Sequence, residues 1–123
     1  MNSTNPTLKD LIGYNIKLVR VPYGSKPHLT AIQYNSLINY GYKVWDWNID
    51  STDTHKGCTT SSIVSNTLKE LNNYHTPIIL FHDKQITVKS LPYILCHLKE
   101  NNFDCKPINQ DQPSMNWWNK ALY

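Results

Sequence analysis

The sequence predicts an α/β fold of about four parallel strands with alternating helices. Short apolar runs alternate with segments of helical periodicity, the links between them are short, and Gly or paired Asn residues stand where helices should stop. Strands joined through helices run parallel, because a crossover returns the chain to the same end of the sheet.

Residues 7–13 (TLKDLIG) have the pattern of a helix end closed by Gly13, and residues 16–21 (IKLVRV) of a short apolar strand that stops at Pro22-Tyr23-Gly24. Leu29, Ile32, Leu37 and Ile38 give residues 29–40 an apolar face, with Gly41 as the stop, so a helix is expected there. A strand is expected over 42–48, and a polar stretch from Ile49 to Thr60 leads into a helix over about 61–73. In that helix Ile63, Val64, Leu68 and Leu71 keep helical spacing.

Pro77-Ile-Ile-Leu-Phe81 is short and apolar throughout, which suits a strand buried on both faces. A helix over about 87–100 follows, with Val88, Leu91, Ile94, Leu95 and Leu98 on one side and Asn101-Asn102 at its end. A last strand is expected near Phe103 to Pro107 and a loose tail from about 109 onward. Residues 1–108 thus read as one domain and 109–123 as its tail.

Bulk properties narrow the function. The 123 residues, 40% of them hydrophobic, can bury one small core, but a complete α/β barrel needs roughly 200 residues or more. The net charge of +3 is spread along the chain without a basic run, so no nucleic acid is expected as partner. Cys58, Cys96 and Cys105 form no CxxC, which points to a fold independent of disulfides. Met1 to Thr7 lack a basic n-region and an apolar h-region, and nowhere do eighteen apolar residues run together. No export signal or membrane span is therefore expected.

Parallel folds gather reactive groups at the carboxyl ends of their strands. Here those ends carry Arg20, then Asp50 and Asp53, then His82 and Asp83. An arginine beside a carboxylate keeps both ionised, and an imidazole exchanges protons near neutral pH. The same residues have plainer uses. Arg20 serves equally as a surface cation, and Asp50, Ser51 and Asp53 as caps of the loop before the next helix. His55 and Cys58 are spaced like a ligand pair, but no second pair completes a metal site, so they read as loop residues. Trp45 and Trp47 would share one face of a strand, as core or as a sugar platform. Trp117 and Trp118 fall in the tail.

Three spaced motifs go further: Arg20-Val-Pro-Tyr-Gly24, Val44-Trp-Asp-Trp-Asn-Ile-Asp-Ser-Thr-Asp53 and Ile79-Leu-Phe-His-Asp83, followed by Thr87-Val-Lys-Ser-Leu-Pro92. In this order the set, covering residues 8–108, resembles the polysaccharide deacetylase family, the NodB homology domain of carbohydrate esterase family 4. The resemblance implies a partial (β/α) barrel and hydrolysis of the acetamide C–N bond of N-acetylglucosamine in peptidoglycan or chitin-like glycans. It also implies a divalent metal, Zn or Co, held by one Asp and two His, whose bound water attacks the acetyl carbonyl.

By motif, Arg20 resembles the arginine that orients the catalytic base, Asp50 the carboxylate paired with that arginine, and His82 the histidine that protonates the leaving amine. Tyr23 resembles the residue whose backbone N–H holds the developing oxyanion and Leu80 the wall of the acetyl pocket, while Trp47 is a candidate substrate contact from its place beside the strand-end rim.

The sequence also departs from the family. No Thr-Phe-Asp-Asp-Gly-like segment and no His-x-x-x-His occurs in it, Thr54 stands where a groove-lining Trp is usual, and Val21 replaces a Pro. The base and the metal ligands therefore have no counterpart, and no metal is expected to be held by this chain alone. The expectation is a truncated or split deacetylase, partnered by the missing N-terminal half or by further copies of itself. The alternative is a non-catalytic carbohydrate-binding or regulatory remnant. Family members act mostly outside the cell or at the wall, while no signal peptide is visible here, so the compartment stays open.

Overall fold

The computed structural model describes residues 10–11 and 15–120, arranged as two compact units. Most of the expected helix over 7–13 lies outside the described residues, although Asp10 and Leu11 are helical.

The first unit comprises residues up to Asp46 together with Ile108–Ala121. Strand β1 (Leu18–Val19) pairs in parallel with β2 (Lys43–Val44), Leu18 opposite Lys43, and helix α1 (Ala31–Asn39) connects them. Thr30 starts α1 through a capping box: its hydroxyl accepts from the Gln33 amide while the Gln33 side chain accepts from the Thr30 amide. The helix closes as the sequence implies. Gly41 takes φ +87°, its amide donates to the Ile38 carbonyl, and the Tyr42 amide donates to the Leu37 carbonyl, the paired hydrogen bonds of a Schellman end.

One expectation fails here. No residue of α1 is buried, and Ile32 is 80% exposed, so the apolar side of this helix lines an open groove with Leu29, Leu37, Tyr40 and Tyr42.

The second unit, Trp47–Pro107, repeats the connection. Strand β3 (Ile49–Asp50) pairs in parallel with β4 (Ile79–Leu80), and helix α2 (Thr60–Leu68) and a 3₁₀ turn (Leu71–Asn73) lie between them. Thr59 and Ser62 form the capping box of α2. Helix α3 (Gln85–Glu100) follows, with Pro92 inside it. Its end uses Asn102 at φ +61°, with the Phe103 amide bonded to Leu98 and the Asn102 amide to Lys99.

Ile49, Ile63, Leu71, Ile94 and Leu98 form the core of this unit, and Val64, Leu68, Ile79, Phe81 and Phe103 pack against it. The face expected for α2 is the one found. For α3 the expected face is rotated: Val88 and Leu95 are 63% and 51% exposed, while Thr87, Ser90, Ile94 and Leu98 are buried. Polar Thr87 and Ser90 go inward because both find acceptors, Asp53 for Thr87 and the Ile86 carbonyl for Ser90.

The α/β class and the parallel pairing hold, but the strands differ from the expected run. Ile49–Asp50, expected within a polar link, is a strand. Residues 103–107 form none, because Phe103 is drawn onto the core by the end of α3. Two-residue strands are too short to show periodicity, and pairing with a neighbour distant in sequence defines them.

The expected loose tail is ordered too. Within the first unit Met115 and Asn116 are buried, the Asp46 amide bonds to the Met115 carbonyl, and Asn116 Nδ2 donates to the Val44 carbonyl at 3.0 Å. All three cysteines are free, and no helix among the described residues is long and apolar enough to cross a membrane.

Candidate functional site

In the second unit, β3 delivers the chain into the loop Ser51–Thr59, and β4 delivers it into Phe81-His82-Asp83. Because β3 and β4 are parallel, both loops leave from the same end of the pair. Asn48 fixes the register: its Oδ1 accepts from the Ile78 amide at 2.7 Å, and its Nδ2 donates to the Thr76 carbonyl at 3.1 Å.

At that end Asp53 is fully buried. Its Oδ2 accepts from the His82 backbone N–H at 2.7 Å and from the Thr87 hydroxyl at 2.6 Å, while its Oδ1 lies 2.8 Å from Nδ1 of His82. Burial by itself raises the pKa of this carboxyl. The hydrogen bonds from Thr87 and from the backbone and ring of His82, with the charge of His82, outweigh it and hold Asp53 below its ordinary value. Thr87 lies in the first turn of α3, whose positive end also favours a carboxylate.

A carboxylate that stays ionised accepts only, so Nδ1 of His82 carries a proton, leaving Nε2 as the ring atom not engaged by Asp53. The His82 side chain is about one-third exposed. It can meet solvent or a ligand while its orientation is set from behind, the arrangement a general acid or base needs.

The other candidates fall as follows. Asp50 is exposed after its strand pairing. Its Oδ1 accepts from the Thr52 amide at 2.8 Å, which makes it a turn former, and its Oδ2 stands 4.0 Å from Nε2 of His55. Leu80 is buried at the end of β4, and Trp47 is half-buried. Trp45 is 4% exposed, yet it and Trp47 lie beyond β2, so strand alternation does not set their facing.

In the first unit, Arg20 follows β1 and is exposed. Tyr23 is 82% exposed with φ +65°, in a turn closed by the Gly24 amide on the Val21 carbonyl at 2.9 Å, and its ring lies 5.7 Å from that of His28.

Asp53, read from the sequence as a loop cap, is the residue that reasoning missed. Thr59 caps α2 instead. The available signal was the second Asp of Asp50-Ser-Thr-Asp53, the one that the β3–β4 pairing brings to His82.

Among the described residues no three His, Cys, Asp or Glu side chains are grouped to hold a metal ion. Asp53 is buried and already engaged by three donors, and the exposed Asp50–His55 pair offers only two ligands. These residues do not fit the divalent metal that the sequence resemblance implies, and no ligand is assigned to it.

Parallel strands bridged by helices, with a buried carboxylate holding a histidine at a strand's carboxyl end, define an α/β domain whose candidate site lies on the loops after the strands. Known proteins of this construction match the chain closely. YheN of Bacillus subtilis (strain 168), which bears the name of a polysaccharide deacetylase, is 41% identical over 109 residues, 84% of this chain and 38% of that protein. A peptidoglycan-N-acetylglucosamine deacetylase of Bacillus cereus (strain ATCC 14579) is 31% identical over 125 residues, 96% of this chain and 45% of that protein. The crystal structure of the polysaccharide deacetylase Bc1974 from Bacillus cereus superposes with a TM-score of 0.79 at 31% identity, covering 98% of this chain and 61% of that one.

No protein-family model matches the sequence. Over most of its length the chain is similar to polysaccharide deacetylases of the NodB type, carbohydrate esterase family 4. It spans less than half the length of the two curated relatives.

Proposed function

We propose that this chain supplies the proton-donating and substrate-facing part of a deacetylase that hydrolyses the N-acetyl group of N-acetylglucosamine units in peptidoglycan or a chitin-like glycan. The observation that carries the reading is the Asp53–His82 contact, with Nδ1 of the ring held at 2.8 Å by a buried carboxylate.

Hydrolysis adds water across the acetamide C–N bond and yields acetate and a free amine. An amine leaves poorly as an anion, so the step needs a proton delivered to nitrogen as the bond breaks. His82 gives that proton from Nε2. Asp53 stabilises the imidazolium before the transfer and keeps Nδ1 protonated after it.

Trp47, half-buried, is a candidate sugar contact by its aromatic character alone, and Leu80 holds the motif position of the acetyl wall. Arg20 holds the motif position of the arginine that orients the base, Asp50 that of the family's arginine-pairing carboxylate, and Tyr23 that of the oxyanion-holding N–H. Residues 1–108 are the part of the deacetylase domain that carries these motifs.

In the family a divalent metal and a base would activate the water, held by Thr-Phe-Asp-Asp-Gly-like and His-x-x-x-His segments that do not occur in these 123 residues. An active form needs those segments beside the motifs of this chain, on the same polypeptide or on another.

The test is acetate release from an N-acetylglucosamine oligomer in the presence of Zn²⁺ or Co²⁺. Release is expected from the chain mixed with a polypeptide bearing those two segments, and not from either alone. Oligomer binding without release from the mixture would overturn the catalytic reading in favour of glycan binding, and release by the chain alone would overturn the division of the site.

A further inference from the structure

Asp53 does more than meet His82, because one of its oxygens is held by a third residue to which neither the motifs nor the reading above gives a role. Thr87 is buried, and its hydroxyl donates to Oδ2 at 2.6 Å. The same oxygen takes the His82 backbone amide at 2.7 Å, so Oδ2 has two donors and Oδ1 is left for the ring at 2.8 Å.

A carboxylate can rotate about its Cβ–Cγ bond and exchange its oxygens. With two donors converging on one of them, that rotation breaks both bonds at once. Thr87 is a stiff place from which to donate. It is β-branched and buried in the first turn of a sixteen-residue helix, so few rotamers are open to its hydroxyl.

We propose that Thr87 is a positioning residue, whose hydroxyl pins Oδ2 of Asp53 so that Oδ1 holds the His82 ring in the single tautomer with Nδ1 protonated. The effect passes through Asp53 and involves no contact with substrate. Its catalytic consequence rests on the reading of His82 as proton donor, but the geometry is independent of it. Among the influences on Asp53, the Thr87 hydrogen bond is the largest of those that favour its charged form.

The experiment follows the ring nitrogens of His82 by ¹⁵N NMR in the 123-residue chain, at a pH where the imidazole is neutral. The unmodified protein and Thr87→Ser should show one tautomer, with Nδ1 bearing the proton. Thr87→Val keeps the shape and removes the donor, and should show two tautomers in exchange. A single unchanged tautomer in folded Thr87→Val overturns the proposal.

Should Thr87→Val fail to fold, the unmodified protein still decides. A Thr87 hydroxyl proton that exchanges slowly and shows a nuclear Overhauser contact to the His82 amide supports the proposal, and a freely exchanging one overturns it. Neither readout involves acetate, so loss of the deacetylase reading would leave this result standing, and the reverse also holds.

Discussion

Asp53→Ala is expected to destabilise the chain by roughly 3–5 kcal/mol, since it removes the common acceptor of three donors in a buried setting. The Thr87 hydroxyl and the His82 amide and ring all bond to this one carboxylate, and neither Thr87 nor Asp53 is open to water. Urea denaturation followed by circular dichroism measures the loss.

The acid limb gives the same residue a second signature. The folded-state pKa of Asp53 is depressed, so the unfolded chain binds its proton more readily than the folded one does. Its contribution is complete above the ordinary carboxylate value, near pH 4, and is lost as pH falls from there through the lowered folded value. The parent protein should lose stability across that window, and Asp53→Ala should lose correspondingly less. Equal acid slopes in the two proteins would show that the carboxylate is not held as described.

Gly24→Ala should cost a comparable amount, on the order of 4 kcal/mol, for two reasons that add. Gly24 has φ +95°, where an L side chain is strained, and a Cβ there would stand 2.1 Å from the Trp117 ring. The backbone that carries the ring is anchored, since the Trp117 amide bonds Oδ2 of Asp46 at 2.8 Å. The buried Asp46 carboxylate in turn takes the Ser25 amide at 2.9 Å and the Ser25 hydroxyl. Next to it, Trp118 donates to the Ser25 carbonyl at 2.9 Å and stacks on Tyr34. Gly41→Ala is the control. Its φ is +87°, but nothing lies within 4 Å of its Cβ position, so only the backbone strain applies, about 1 kcal/mol. Equal losses from the two substitutions would mean that the Trp117 ring does not fill the space over Gly24.

What could be read in advance depended on whether a feature is local. Gly41 and Asn102 end their helices through chemistry contained in a few neighbouring residues, and Ile63, Val64, Leu68 and Leu71 mark a buried face by spacing alone. Ile49–Asp50 shows no such mark. Its strand character comes from Ile79–Leu80, thirty residues away, and without that pairing Asp53 looks like any polar loop residue.

The return of residues 108–120 was hidden for the same reason. Trp117 has a place only because Gly24 leaves one, and Asn116 only because the Val44 carbonyl needs a donor. His82 was visible as a polar residue after an apolar strand. Its partner was not, since partnership is a fact of topology and not of spacing.

The claim that organises these results is that His82 delivers the proton to the leaving amine. It is tested most directly by repeating the acetate-release assay in the complemented mixture with His82→Gln, a variant expected to fold because the surrounding donors and core are untouched. Release should fall by about 10²-fold or more, the usual scale for loss of a general acid, while oligomer binding is retained. Release at the parent rate would contradict the assignment and leave the Asp53–His82 pair as a purely structural tie.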